Sequence, residues 1–284
     1  MLLLIVAVWG SSFILMKNIL DYMPPFAYLT VRFSLAAVVL AIVSFKRMKR
    51  IKLKDVARGS ICGFLVAACM ALQVVGLLYT TVAKSSLITG MSVIIVPIFS
   101  AFILKKAPDI FSIAGVVLAA VGMFALSEFS FSSINVGDVM TFGCAIFCAA
   151  HILMISHVSG KSDPRILSLL QCVTCSLCFA AMWGASGFEG FEINLSVIIA
   201  LIVTGVCGSS LGLTVWAIVQ KDTTPTKTAL IFSSEPVFAI IFALLIPNNS
   251  GNTEPLSLYV IVGCILIVVG MLTAELRSGA NKKV

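Results

Sequence analysis

SVIIVPIFSAFIL at residues 92–104 and FSSEPVFAIIFALLI at 232–246 are the two stretches on which the fold turns. Each holds a proline inside an apolar run, Pro97 in the first and Pro236 in the second, whereas the other seven prolines lie in or beside polar connections. A proline inside a helix removes one backbone hydrogen bond and kinks it. The two prolines are 139 residues apart, and around them the halves read alike. FILM at 13–16 returns as HILM at 151–154, and GVVLAAVGM at 115–123 returns as GCILIVVGM at 263–271. The chain therefore reads as a duplication with one expected helix kink per copy, at Pro97 and at Pro236, a pattern found in carriers.

Hydrophobic residues make up 60% of the 284 and charged residues 11%. A soluble domain carries roughly a quarter charged residues, so the solvent implied here is lipid. Ten apolar segments are long enough to span a bilayer, which takes about 20 residues. They cover 2–20, 26–45, 59–80, 85–104, 110–127, 138–157, 165–187, 195–220, 226–246 and 257–275. Helices are expected throughout, because these runs are too long for barrel strands and lack strict alternation. No cleavable signal is expected at the start, and an upstream start is left open. The longest connections, 46–58 and 247–255, are too short for a soluble domain.

The net charge is +7, and the basic residues sort by loop. With both termini in the cytoplasm, 16 of the 19 Lys and Arg fall on that side and only Lys17 and Lys84 on the other, with Arg32 in the membrane. That asymmetry orients the chain and makes the basic 46–58 loop a topology anchor rather than a nucleic-acid site. Five spans per half is an odd number, so the second half enters the membrane inverted. The expected architecture is an all-α integral membrane protein of ten transmembrane helices in an inverted 5+5 repeat. Its divisions are a first repeat at 1–127, a second at 138–275 and a basic tail at 276–284.

WGSSF at 9–13, GD at 137–138, AAH at 149–151 and SSEPVFA at 233–239 resemble the EamA-type transporters of the drug/metabolite transporter superfamily. The length and the duplication match over nearly the whole chain. The resemblance implies a bacterial inner-membrane, multi-pass carrier, often an exporter of amino acids or similar small metabolites. It also implies a central cavity lined mainly by spans 1, 3, 4, 6, 8 and 9. Three departures stand out. The first span lacks a lead, the fourth ends in LKKAPD (104–109) without the usual Glu, and the loop after the ninth is nine residues longer than its counterpart.

Glu235 is the sharpest candidate, since it sits near the middle of its span. An ionised acid at that depth costs roughly 3 kcal/mol or more when it faces lipid. It must be protonated, paired or facing water. Ser233 and Ser234 precede it and Pro236 follows it. Glu235 reads as a substrate-amine ligand or a proton-coupling site, against the plainer alternative of a protonated acid bonding its helix to a neighbour. Its counterpart at an offset of 139 is Val96. His151, aligned with Phe13, is a second candidate for proton coupling or else a helix-packing bond.

Trp9, Ser12, Gln73, Tyr79, Ser86, Thr89, Trp216 and Ser233 complete the expected substrate-binding set. Arg32 and Lys84 are candidates for an outer vestibule, and Lys17 is expected to snorkel to the surface. Cys172, Cys175 and Cys178 share one helix face and read as packing residues, with no metal site. Gly59/Gly63 and Gly208/Gly212 read as close-packing pairs. No cofactor and no phosphate loop is expected, so an ion gradient, with protons as the favoured ion, would drive the carrier. The competing readings are a passive channel, a lipid scramblase and, on thin grounds, an intramembrane enzyme. Expected partners are the bilayer and a small-molecule substrate, with the oligomeric state left open.

Overall fold

The structure is a computed structural model, and it describes residues 1–103, 105, 108–126, 134–246 and 257–275. All ten apolar segments lie on helices. The first three spans are α1 (Leu2–Ile19), α2 (Pro25–Met48) and α3 (Leu53–Tyr79). The fourth is split into α4 (Val82–Gly90) and α5 (Ser92–Ile103). Next come α6 (Ile110–Leu126), α7 (Val136–Val158) and α8 (Pro164–Ala185). The eighth span begins as α9 (Leu195–Leu201), widens into a π-helix at Ile202–Leu211 and ends as α10 (Gly212–Val219). The ninth is split into α11 (Pro225–Phe232) and α12 (Glu235–Leu245), and the tenth is α13 (Leu258–Glu275). Eight spans are 18 residues or longer, and Ile110–Leu126 and Leu258–Ala274 are shorter apolar helices. The tail at 276–284, the loop at 247–256 and four of the orienting basic residues (Lys106, Arg277, Lys282, Lys283) lie outside the described residues.

Side-chain caps start the helices where the chain re-enters the bundle. Thr81, Asn135, Asp163, Asn194 and Thr224 each accept a hydrogen bond from a backbone N–H of the following turn. Asn135 and Asp138 do so reciprocally, at 3.0 and 3.2 Å, which satisfies two donors the helix cannot reach itself. Caps of this kind matter most at a membrane boundary, where an orphan N–H has little water to turn to.

Four expectations are corrected. The basic loop at 46–58 shrinks to residues 49–52, because α2 runs on to Met48 and α3 starts at Leu53, where Asp55 accepts from the Lys52 N–H at 3.0 Å. The fourth span breaks at Met91 and not at Pro97, which sits inside α5. In the ninth span the break lies at Ser233–Ser234 and Pro236 opens α12, where a missing N–H is harmless. The eighth span is not a plain helix: its π-segment carries Gly205, Gly208, Ser209 and Ser210, small residues that let the backbone widen.

Packing is densest between α6 and α13, between α3 and α7, and between α2 and α8. On the α6–α13 seam, a Cβ on Gly115 would meet the Gly270 carbonyl oxygen at 2.5 Å and one on Gly122 the Gly263 oxygen at 2.7 Å. The two copies of the repeated nonapeptide thus lie against each other, antiparallel and backbone to backbone. At one end of the bundle the 2–3 and 6–7 connections are tied: Arg47 pairs with Asp163, and Ser162 donates to Asp55 at 2.7 Å. At the other, the Glu192 N–H donates to the Tyr22 carbonyl at 3.1 Å.

Candidate functional site

The breaks in the fourth and ninth spans meet near the middle of the bundle. A Cβ on Gly90, the last residue of α4, would lie 3.2 Å from Pro236 Cγ at the start of α12. Beside this crossing is a cavity of about 90 Å³, walled by α1, α2, α3, α7, the π-segment with α10, and both broken spans. A water needs roughly 10–15 Å³ of such space, so the cavity holds several waters or a small solute. Helix α2 joins the wall through Arg32 and Phe33, beyond the six spans that the resemblance implied.

Aromatic rings close one side. Trp9 stands edge-on to Phe232 (5.0 Å between centroids, 77°) and to Trp216 (5.9 Å, 73°), and Trp216 stands edge-on to Phe232 (4.9 Å, 80°). Each such pair contributes about 1 kcal/mol beyond simple burial. The Trp9 indole N–H donates to the Gly208 carbonyl at 2.9 Å, and a Cβ on Gly212 would meet its Nε1 at 3.0 Å. The Gly208/Gly212 pair is therefore more than helix packing, because it seats a cavity residue. Trp216 donates to Gln220 Oε1 at 2.7 Å, and Thr228 donates to the same oxygen at 2.9 Å.

Polar groups occupy the rest of the wall. Glu235, the first residue of α12, faces the cavity at a helix N-terminus, where the dipole favours a carboxylate. Among the described residues it has no hydrogen-bond or ion-pair partner. His151 stacks edge-on to Trp216 (4.7 Å, 85°), and its Nε2 lies 2.8 Å from Gln171 Oε1. Opposite an amide oxygen that ring nitrogen is the donor, so Nδ1 is left as the acceptor. Gln73 Nε2 donates to Thr89 at 3.4 Å. Ser12 lines the cavity while its hydroxyl donates to the Val8 carbonyl at 2.9 Å. Arg32, 4% exposed, donates from Nε to Ser209 Oγ (3.0 Å) and from Nη1 to the Tyr28 hydroxyl (3.2 Å).

Thus Trp9, Ser12, Gln73, Thr89, His151, Trp216 and Glu235 converge on one cavity, and Arg32 joins them from what was expected to be an outer vestibule. Four candidates stand elsewhere. Tyr79, the last residue of α3, is 57% exposed. Ser86 and Ser233 are buried and donate to carbonyls three residues back in their own helices. Lys84 pairs with Asp138 at 3.5 Å, and Asp138 also accepts from Thr80 at 2.6 Å, tying the ends of α3, α4 and α7 together. Lys17, expected to snorkel, reaches the end of α3. Its ammonium donates to the Leu77 and Thr80 carbonyls (2.6 and 3.2 Å) and closes the end of α3.

Sequence reasoning missed Phe13, Met16, Ser92, Cys69, Cys148, Ser209 and Phe232 as wall residues. Ser92 had a usable signal. It opens α5 just as Glu235 opens α12, whereas Val96, the sequence counterpart of Glu235, is fully buried and outside the cavity wall. The α8 cysteines pack as expected: Cys175 donates to the Gly63 carbonyl at 3.2 Å, and all nine cysteines are free.

Comparison with known proteins agrees with this geometry. A crystal structure of another protein superposes with a TM-score of 0.75 over 99% of this chain and 98% of that one, at 17% identity, which shows a shared fold. An uncharacterized transporter of Archaeoglobus fulgidus is 34% identical over 97% of this chain and 85% of its own length. The uncharacterized transporter YvbV of Bacillus subtilis is 24% identical over 99% and 92%. The model of the EamA-like transporter family matches residues 1–127 and 135–274. This chain, a multi-pass membrane transporter, belongs to the EamA-like transporter family.

Proposed function

We propose that the protein is a secondary carrier that moves a small metabolite, an amino acid or a similar compound, by alternating access about the central cavity. In this reading it is a proton-coupled exporter of the bacterial inner membrane, built as an inverted 5+5 repeat with both termini in the cytoplasm. The observation that carries the proposal is Glu235: a mid-span carboxyl group, at the break of a discontinuous helix, turned towards a cavity and bonded to no described protein group. A carboxyl group so placed can take up a proton or a substrate amine, and either event changes the charge that must cross the bilayer when the bundle rocks. His151, whose Nε2–H is committed to Gln171, supplies an Nδ1 acceptor on the same wall. Arg32 is the cationic side chain that shares the cavity with these two groups.

The repeat finds support in the seam. Gly115 meets Gly270 and Gly122 meets Gly263, so residue i of one copy meets residue j of the other, and j meets i. Self-complementary pairing of this kind is what a two-fold axis produces. Packing elsewhere follows the same exchange, with α3 against α7 mirrored by α1 against the eighth span. The cross-tie of Thr80, Lys84 and Asp138 at one end, and that of Arg47, Asp55, Ser162 and Asp163 at the other, would be made and broken in turn as access alternates.

Uptake into inside-out membrane vesicles tests the proposal, using a panel of amino acids, nucleosides and small cationic drugs with and without an acid-inside gradient. Saturable uptake that rises with the gradient is the expected result. Unsaturable flux that ignores the gradient for every compound would instead mark a passive pore.

A further inference from the structure

Arg32 is a buried cation without a salt bridge among the described residues, although the Glu235 carboxyl group on the same cavity wall acts on it electrostatically. The residue is 4% exposed, and among the described residues no carboxylate lies within ion-pairing range. Its described hydrogen-bond acceptors are neutral: Ser209 Oγ at 3.0 Å from Nε, and the Tyr28 hydroxyl and Met16 Sδ at 3.2 and 3.6 Å from Nη1. Nη2 donates to no described group, yet it is not among the buried unsatisfied atoms, so it touches the open space. That space is the cavity, whose wall includes Arg32 and Gly208, and the absence of a side chain on Gly208 keeps the guanidinium edge clear: a Cβ there would stand 3.6 Å from Nη2.

The guanidinium is also held in place. Tyr28 donates to Thr204 Oγ1 at 2.9 Å, Ser209 donates to the Thr204 carbonyl at 3.1 Å, and the rings of Tyr28 and Phe33 lie 5.9 and 5.5 Å from Cζ. The Ser209–Thr204 bond reaches five residues back and so depends on the π-segment. A fixed guanidinium with Nη2 free suits an oxyanion, which can accept from the open N–H groups of that nitrogen. A charge at this depth without a salt-bridge partner is unfavourable, and an anionic guest would supply a direct one.

We propose that the Arg32 edge beside Gly208 is an anion subsite that takes the carboxylate of the cargo. Glu235, on the same cavity wall, takes the cargo's amine. The substrate class is then a zwitterion of the α-amino-acid type, and not a cation or a neutral drug. This inference rests on the carrier reading above.

Matched pairs test it. The full-length protein in lipid nanodiscs is titrated with the common L-amino acids and with their carboxamides, which keep the amine and lose the carboxylate. Binding is read from the fluorescence of the cavity tryptophans and from thermal stabilisation. At least one amino acid binds, and its carboxamide binds at least about tenfold more weakly. Arg32→Gln brings the acid down to the level of the carboxamide and leaves the carboxamide unchanged, and Arg32→Lys restores part of the difference. The subsite is overturned by equal binding of acid and carboxamide, by an Arg32→Gln effect of equal size on both, or by a panel that does not bind at all. If Arg32→Gln fails to fold, the acid–carboxamide pair on the unmodified protein decides alone. Saturable gradient-driven uptake of a compound without a carboxylate, unchanged by Arg32→Lys, would sink the subsite and leave the carrier reading standing.

Discussion

At the α6–α13 seam the two copies of GxxxxxxGM lie on each other, Gly115 on Gly270 and Gly122 on Gly263. In the cavity the copies differ: Glu235 answers to a buried Val96, and His151 shares the wall with its counterpart Phe13. The seam keeps the residue that the geometry demands in both halves, because two backbones touch there and no side chain fits. The cavity is where the halves are free to diverge, and the acid, the imidazole and the guanidinium all sit there, each without a like residue at the matching place. In our account the matching region provides a pivot and the differing region provides the chemistry.

The comparison breaks most severely at the seam. Gly115→Leu combined with Gly122→Leu pushes side chains into the Gly270 and Gly263 carbonyls and destabilises by about 1–3 kcal/mol per site. Loss of a monodisperse peak in size-exclusion chromatography is expected, and an unchanged melting temperature would show that the seam is not rigid. Trp9→Ala comes next. It removes two edge contacts and the bond to Gly208, for about 3 kcal/mol. Trp9→Phe keeps a ring and loses about 1 kcal/mol with the hydrogen bond, so thermal melting of the pair separates packing from seating. Trp9 stands edge-on to two rings, Trp216 and Phe232, and its third contact is with the glycine surface of the π-segment.

Acid placement sharpens the comparison further. Val96→Glu buries an unpaired carboxyl group and costs about 2 kcal/mol, whereas Ser92→Glu puts the acid on the cavity wall and is tolerated. Equal loss of folded protein from both would mean that the cavity does not accept charge. The smallest effect is expected from Asp138→Asn, which keeps a hydrogen-bonding group for Thr80 and weakens the pair with Lys84. Asp138 is buried and Lys84 is 40% exposed, and such a half-buried pair contributes about 1 kcal/mol. A change of a few fold in flux, with melting nearly unchanged, is expected.

The ten helices could be read from the sequence because lipid leaves a chain few choices: an apolar run of about 20 residues must satisfy its own backbone. Glu235, His151 and Gln73 stood out because a polar side chain at that depth needs a reason. What could not be read was direction. In an all-round apolar helix no stripe tells the inner face from the outer, so Arg32 was assigned to a vestibule and Tyr79 to the cavity, whereas Arg32 lines the cavity and Tyr79 is exposed at the end of α3. The break at Met91 was hidden because Pro97, one turn and a half further on, is the louder signal. The π-segment left only small residues as a trace. Helical extension through the basic 46–58 stretch was obscured because water, not lipid, surrounds those turns and hydropathy falls there.

The most direct test of the account compares two fluxes in vesicles containing Glu235→Gln: net uptake driven by an acid-inside gradient, and exchange of labelled for unlabelled cargo with no gradient. Glutamine keeps the shape of the side chain and cannot give up a proton. The account predicts that gradient-driven uptake falls at least about tenfold while exchange persists. Gradient-driven uptake equal to that of the unmodified protein would contradict it.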